Sequence, residues 1–335
     1  MWPDASFAFS RTGSLVYLTG STAGVAGQRT NTLATRDSRQ QPLNLPPRAY
    51  LFPRVSPDGG QLAVQTDDAS GPIIWIYDMK RGGPPRRLTF EGENRYPVWT
   101  PDGHRVTFQS DRNGDHGIFW QMADGTQPAE RLSKPAVPTE QHIPEAWSPD
   151  VRTLAFLRLA PGNTSFAFVR NGSLSTLSAD AGGVVKSYAD AARGSAFSPD
   201  GKWLAYASTE AGNRFEIFVQ SFPPSGAKYQ ISTDGGAWPL WSRDGTELYY
   251  STDAGQHLVA LDIQTRPTFV VGKAVALPIE AVFGGGLARN YDVTPSRQFV
   301  VVNAAGAAAV NPSWTQQINI VVNWSEELKQ RVPTR

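Results

Sequence analysis

Cysteine is absent from this 335-residue chain, which excludes disulfides and thiolate metal sites. Histidine is scarce. His104, His116, His142 and His257 lie far apart with no HExxH or HxH spacing, which argues against zinc, and each reads as an exposed loop or turn residue. No run approaches 18 apolar residues, so no membrane-spanning helix is expected. The N-terminal MWPDASFAFSRTG lacks a basic stretch followed by an apolar one, so no signal peptide is expected and the chain as it stands reads as cytoplasmic. A surplus of one charge is missing too. The 31 Lys and Arg against 30 Asp and Glu give +1, with no overall electrostatic case for nucleic acid or an anionic membrane. No serine sits in a G-x-S-x-G elbow, and the H-R-D and D-F-G motifs of kinases do not occur. No metal or cofactor is expected.

What is present is glycine (31), proline (26) and aromatics (10 Trp, 10 Tyr, 16 Phe), a composition suited to short strands joined by tight turns. One short unit also recurs. FSPDGKWLAYAS returns as VSPDGGQLAVQT, WTPDGHRVTFQS, WSPDVRTLAFLR and WSRDGTELYYST. Aligned on Ser10, Ser56, Thr100, Ser148, Ser198, Ser242 and Thr294, the copies lie 44 to 52 residues apart, the spacing of propeller blades. Ser, Pro and Gly suit positions i, i+1 and i+3 of a type I turn, so SPDG reads as the hairpin between the first (A) and second (B) strands of each blade. The turn residues Asp58, Gly59, Asp102, Gly103, Asp150, Asp200, Gly201, Asp244 and Gly245 are therefore structural. A catalytic residue is needed once, not in every blade.

The fold class expected is all-β, a propeller of four-stranded antiparallel blades, six in number, with seven as the alternative. The last repeat supplies A (YDVT), B (QFVVVN) and C (INIVVNW) but no fourth strand. TLATRD or PLNLP, between residues 32 and 46, would close it and remove an exposed edge. Residues 1–30 then form a leftover hairpin or flap, 31–324 the propeller and 325–335 a polar tail.

The turn-strand unit S-P-D-G-x-x-[LI]-A-[FY], with a later I-[YF/W]-x-x-D and R-L-[ST], resembles the TolB-type, WD40-like (PD40) propeller repeat over most of the chain. A narrower likeness is carried by IIWIYDMKRGGPPRRLTFEGENRYPVWTPDGHRVTFQSDRNG, by PDGKWLAYASTEAGNRFEIFVQSFPPSGAKYQISTDGGAWPLWSRDG and by INIVVNWSEELK. These look like the C-terminal propeller of bacterial membrane-bound serine/threonine kinases. That resemblance implies an extracytoplasmic sensor domain, although the chain holds neither a kinase nor a membrane helix.

The loops entering the A strands differ between blades, as recognition residues would. Arg95, Arg193 and Arg289 stand five before the motif Ser or Thr, in alternate blades of a six-membered ring. They are expected to form an anion-attracting channel mouth with Tyr96, His142, Glu145, Trp238 and Tyr291. The plainer alternative is ordinary loop tips and packing aromatics. The function expected is non-enzymatic binding of a protein, peptide or glycan by a monomeric propeller. The alternative is a hydrolase or lyase with Glu145 or His142 as general base; a third reading is a degenerate fragment without a role of its own.

Overall fold

The computed structural model describes residues 7–9, 15–18, 29–34, 39–43, 45, 48–68, 71–161, 172–179, 183–252, 257–279, 286–304 and 318–321. These are strands, turns and bends, with no helix among the described residues. Two compact units are defined, Gln28–Ala305, and Met1–Gly27 with Gly306–Arg335.

The larger unit is an all-β propeller of small four-stranded antiparallel blades. Five sheets are each built from four consecutive strands. The first comprises Tyr50–Val55, Gln61–Asp68, Gly71–Asp78 and Arg86–Arg87, and the second Asn94–Trp99, Arg105–Ser110, Gly117–Met122 and Glu130–Arg131. The third comprises Gln141–Trp147, Thr153–Leu159, Gly172–Ser178 and Val184–Asp190, and the fourth Ala192–Phe197, Trp203–Ser208, Glu216–Ser221 and Lys228–Gln230. Ala237–Trp241, Glu247–Ser251, Leu258–Gln264 and Val270–Leu277 make the fifth. A sixth four-stranded sheet is composite: Tyr291–Val293 and Phe299–Ala304 pair onward with Arg29–Ala34 and then Gln40–Pro42.

This differs from the sequence expectation in one respect. The N-terminal segment supplies the third strand of the sixth sheet as well as the fourth. Ile318–Val321, read from the sequence as that third strand, pairs instead with Leu15–Leu18, which forms a hairpin with Phe7–Phe9 in the smaller unit. A run such as INIV fits any edge of matching length, so its composition cannot select the partner. Residues 325–335 lie outside the described residues.

Apolar clusters fill the spaces between successive sheets. Trp99 and Phe108 meet Ile74 and Ile76 of the sheet before them, and Trp241 meets Ile217. Tyr249 joins Tyr291 and Phe299, and Val300 of the sixth sheet joins Tyr50 and Leu62 of the first. Each large residue at the end of an A strand thus buries its surface against a neighbouring sheet, which is why this position stays bulky.

The turns show why SPDG keeps returning. In the first five sheets the Ser or Thr hydroxyl donates to the turn Asp at 2.5–2.7 Å. The same hydroxyl accepts the N–H five residues on at 2.8–3.0 Å. The residue three after the Ser has φ near +60 to +75°, glycine in four of six copies and Val151 and Arg297 in the others. At Gly59 the proline of the neighbouring turn leaves no room for a side chain: a Cβ would lie 2.8 Å from Pro295 Cδ.

Candidate functional site

In each of the first five sheets the A strand carries an irregularity before its turn. Its register against the B strand shifts in the first five sheets, and Phe52, Tyr96, Gly194 and Trp238, each four residues before the motif Ser or Thr, adopt positive φ. Such a bulge re-aims the residues on either side of it. Ahead of it, Phe52 and Tyr96 turn inward with ring centroids 5.0 Å apart and pack with Ile143, Leu287 and Ala288. This apolar cluster occupies the leading end of the A strands, where the sequence suggested a mouth.

The open space lies at the other end. A cavity of about 300 Å³ is rimmed by the turn residues Pro57, Pro101, Pro149, Pro199 and Arg243. Behind the rim come the bulky strand ends, including Trp99, Trp147 and Trp241. Deeper still lie the residues two before the motif Ser or Thr: Arg54, Val98, Ala146, Ala196, Leu240 and Asp292. Four members of that ring are apolar, and the other two form an adjacent Arg and Asp. Glu145, Arg289, Ser198 and Ser242 add to the polar part. A second space of about 10 Å³, room for roughly one water, is lined by Arg54, Glu145, Trp238 and Arg289 among others.

The polar groups here are mostly held. Arg54 Nη1 donates to Pro53 O at 2.8 Å and to Arg289 O at 2.7 Å. Arg289 Nη2 reaches Asp292 Oδ1 at 3.3 Å, and Val55 N donates to Asp292 Oδ2 at 2.8 Å. Glu145 reaches from the third sheet to the fourth and accepts from Gly194 N (2.6 Å), Ser195 N (2.8 Å) and Ser195 Oγ (2.6 Å). Burial pushes the Glu145 carboxyl above its ordinary range, against those three hydrogen bonds. Burial, and then the charge of Arg289, push the Arg54 guanidinium down to about 9.

Of the eight sequence candidates, Glu145 and Arg289 line the cavity; the others do not form a mouth. Tyr96, Trp238 and Tyr291 are buried packing residues rather than exposed contact surface. Burial raises the Tyr96 phenol to about 12 and the Tyr291 phenol further, and Tyr291 Oη donates to Trp238 O at 2.6 Å. The three arginines do not converge. Arg95 pairs with Glu93 at 2.9 Å, Arg193 lies 4.1 Å from the Phe215 ring centroid and Arg289 turns to Asp292.

His142 is buried, not an exposed loop residue. Its Nδ1 lies 2.9 Å from Ser133 Oγ and its Nε2 2.9 Å from Glu140 Oε1. The chain Ser133–His142–Glu140 has the residue types of a hydrolase triad, yet the hydroxyl is a repeat feature. Thr89, Ser133 and Ser232 each accept the N–H of the third-strand residue beside them, Ile74, Ile118 and Ile217. His142 and Glu145 face different partners, so the two candidate bases do not meet. Asp115, in the loop between Arg105–Ser110 and Gly117–Met122, is paired with Arg131.

Arg54 and Asp292 were missed by the sequence reading. Their signal was present: they are the charged exceptions in an otherwise apolar series at one offset.

Solved structures share this architecture. A TolB from Agrobacterium tumefaciens superposes with a TM-score of 0.65 at 16% identity, over 83% of this chain and 98% of its own. A TolB from Acinetobacter baumannii gives 0.54 at 15% identity, over 82% and 79%. The fold is a TolB-type β-propeller.

An oligogalacturonate lyase from Vibrio parahaemolyticus gives 0.52 at 11% identity, over 96% of this chain and 82% of its own. In sequence, the uncharacterized peptidase YuxL of Bacillus subtilis is 28% identical over 193 residues, 47% of this chain and 29% of that protein. The chain thus spans less than a third of the curated relative it matches. No protein-family model matches.

Proposed function

We propose that the protein is a non-enzymatic binding module, a six-bladed ring that receives a peptide segment of a partner protein in the cavity at the turn end of its A strands. The observation that carries this reading is the ring of residues two before each turn. It offers apolar wall on four sides and charge on one, the composition of a site that binds and orients a chain. Peptide is favoured over glycan because Val98, Ala146, Ala196 and Leu240 offer a sugar's hydroxyls few hydrogen-bond partners. The six-blade count is supported by apolar packing between the sixth sheet and the first. In a membrane-tethered, kinase-linked receptor, this ring would be the extracytoplasmic sensor.

The test is selection of peptides on the full chain from a random library, followed by affinity measurement on Ala196→Arg, which fills the cavity. Loss of binding by tenfold or more supports the proposal. Undiminished binding places the site elsewhere.

A hydrolase or lyase is the second reading, favoured by the likeness to the lyase and by the match to YuxL. It requires a free base, whereas Glu145 accepts three hydrogen bonds and His142 is buried between Ser133 and Glu140. Hydrolysis or elimination by the wild type that disappears on Glu145→Ala or His142→Ala would establish it.

A further inference from the structure

Packing accounts for the other buried groups of the cavity but not for Arg54. The residue is 5% exposed, and its Nε has no hydrogen-bond partner. Among the described residues no carboxylate pairs with it. Its two Nη1 hydrogen bonds go to backbone carbonyls, which orient the guanidinium without cancelling its charge. Arg289, whose side chain is 11% exposed, lines the same cavity, and its partner Asp292 neutralises one of the two cations. Glu145 directs both carboxylate oxygens to three donors of the fourth sheet, so neither bonds Arg54. The Arg54 guanidinium is thus left with no anion bonded to it directly in a low-dielectric space, its charge favoured only at a distance by Asp292 and Glu145. Such a charge is unfavourable until an anion completes it.

We infer that the cavity takes the carboxylate of its peptide ligand, a C-terminus or an acidic side chain, against Arg54 and Arg289. The neighbouring residues of the peptide then lie on Val98, Ala146, Ala196 and Leu240. A planar guanidinium fork suits carboxylate and phosphate alike. Asp292 and Glu145 beside the two arginines favour a monoanion over a dianion. Arg243, exposed at the rim, adds a positive charge on the way in. This inference rests on the binding-module reading above.

The test is calorimetric titration of the full chain with acetyl-trialanine, as the free acid and as the amide. D-galacturonate and inorganic phosphate serve as further probes. The free acid is expected to bind at least tenfold more tightly than the amide. That preference is expected to fall below threefold in Arg54→Met, and also in Leu240→Glu, which places a resident carboxylate in the cavity and leaves both arginines intact. Should Arg54→Met not fold, Leu240→Glu carries the comparison. Equal binding of acid and amide would retain the peptide site and overturn the carboxylate assignment. Tighter binding of phosphate or galacturonate than of the free acid would overturn the peptide carboxylate in favour of that anion. Absence of any binding would overturn both the cavity reading and this inference.

Discussion

Asp292 Oδ2 accepts the backbone N–H of Val55 at 2.8 Å, joining two residues 237 apart in sequence. The bond spans the junction where the sixth sheet meets the first. Asn290 Oδ1 accepts Phe52 N at 2.9 Å across the same junction. Both N–H groups belong to Tyr50–Val55, and both find their acceptors on side chains at the sixth sheet. Asp292→Ala leaves the buried Val55 N–H without an acceptor and is expected to cost about 1–3 kcal/mol. Urea unfolding monitored by tryptophan fluorescence measures it. A loss under about 0.5 kcal/mol would mean that this bond does not hold the junction.

The two non-glycine residues at the positive-φ turn position are expected to respond in opposite directions. Val151 has φ +62° and a β-branched side chain, a conformation that costs about 1–2 kcal/mol. Val151→Gly removes that strain and returns part of it as unfolded-chain entropy, for a net gain of about 0.5 kcal/mol. Arg297 has φ +61° but pairs with Asp244 and, at 2.9 Å, with Glu247, whose side chain is 4% exposed. Arg297→Gly leaves Glu247 without its cation and is expected to lose about 1–2 kcal/mol, discounted for the half-exposed arginine. Thermal midpoints of the two variants decide the signs.

Turn glycines are not equivalent. Gly59→Ala and Gly103→Ala meet the same backbone penalty, with φ +72° at both. The new Cβ at 59 would lie 2.8 Å from Pro295 Cδ, whereas at 103 it would lie 3.5 Å from Pro57 Cδ, an ordinary contact. Gly59→Ala is therefore expected to lose about 1 kcal/mol more than Gly103→Ala. Equal losses would show that the two turns do not press on each other.

Acid should loosen the ring at its turns. The hydrogen bond from the Ser hydroxyl holds the carboxyls of Asp58, Asp150 and Asp244 below their ordinary range. A carboxyl depressed in the folded state binds fewer protons there than when unfolded. Its stabilisation is complete above about pH 4 and is lost as pH falls through the depressed values. The thermal midpoint is expected to drop below pH 4, with a shallower slope in Asp150→Asn. Identical slopes would exclude the turn aspartates as its source.

The repeat was legible because its turn chemistry is local. Ser, Pro, Asp and Gly each have a role within six residues, so SPDG announces a hairpin wherever it stands. The closing strand was legible in part, since an open fourth position demands a donor. That Arg29–Ala34 also displaces Ile318–Val321 depends on competition between strands far apart in sequence, and both runs fit. The cavity was not legible, for a different reason. The sequence pattern takes every A strand as a regular alternation, but a bulge four residues before the turn breaks it. Phe52, Tyr96 and Trp238 hold positive φ without the glycine that would mark it, so only Gly194 gives a hint. Positions five and two before the turn are three residues apart, an odd spacing that alternation alone puts on opposite faces. Arg95 and Arg193 accordingly pair locally, while Arg54 and Asp292 reach the cavity.

A ligand that enters at the turn end of the A strands, as proposed, and one that enters at their leading end respond to different substitutions. The most direct measurement is the affinity of one library-selected peptide for the wild type, for Ala196→Arg in the cavity and for an Arg95→Ala, Arg193→Ala double variant at the leading end. The expected result is a loss of tenfold or more in the first variant and a change within twofold in the second. A loss confined to the double variant would contradict it and return the binding site to the leading end of the channel.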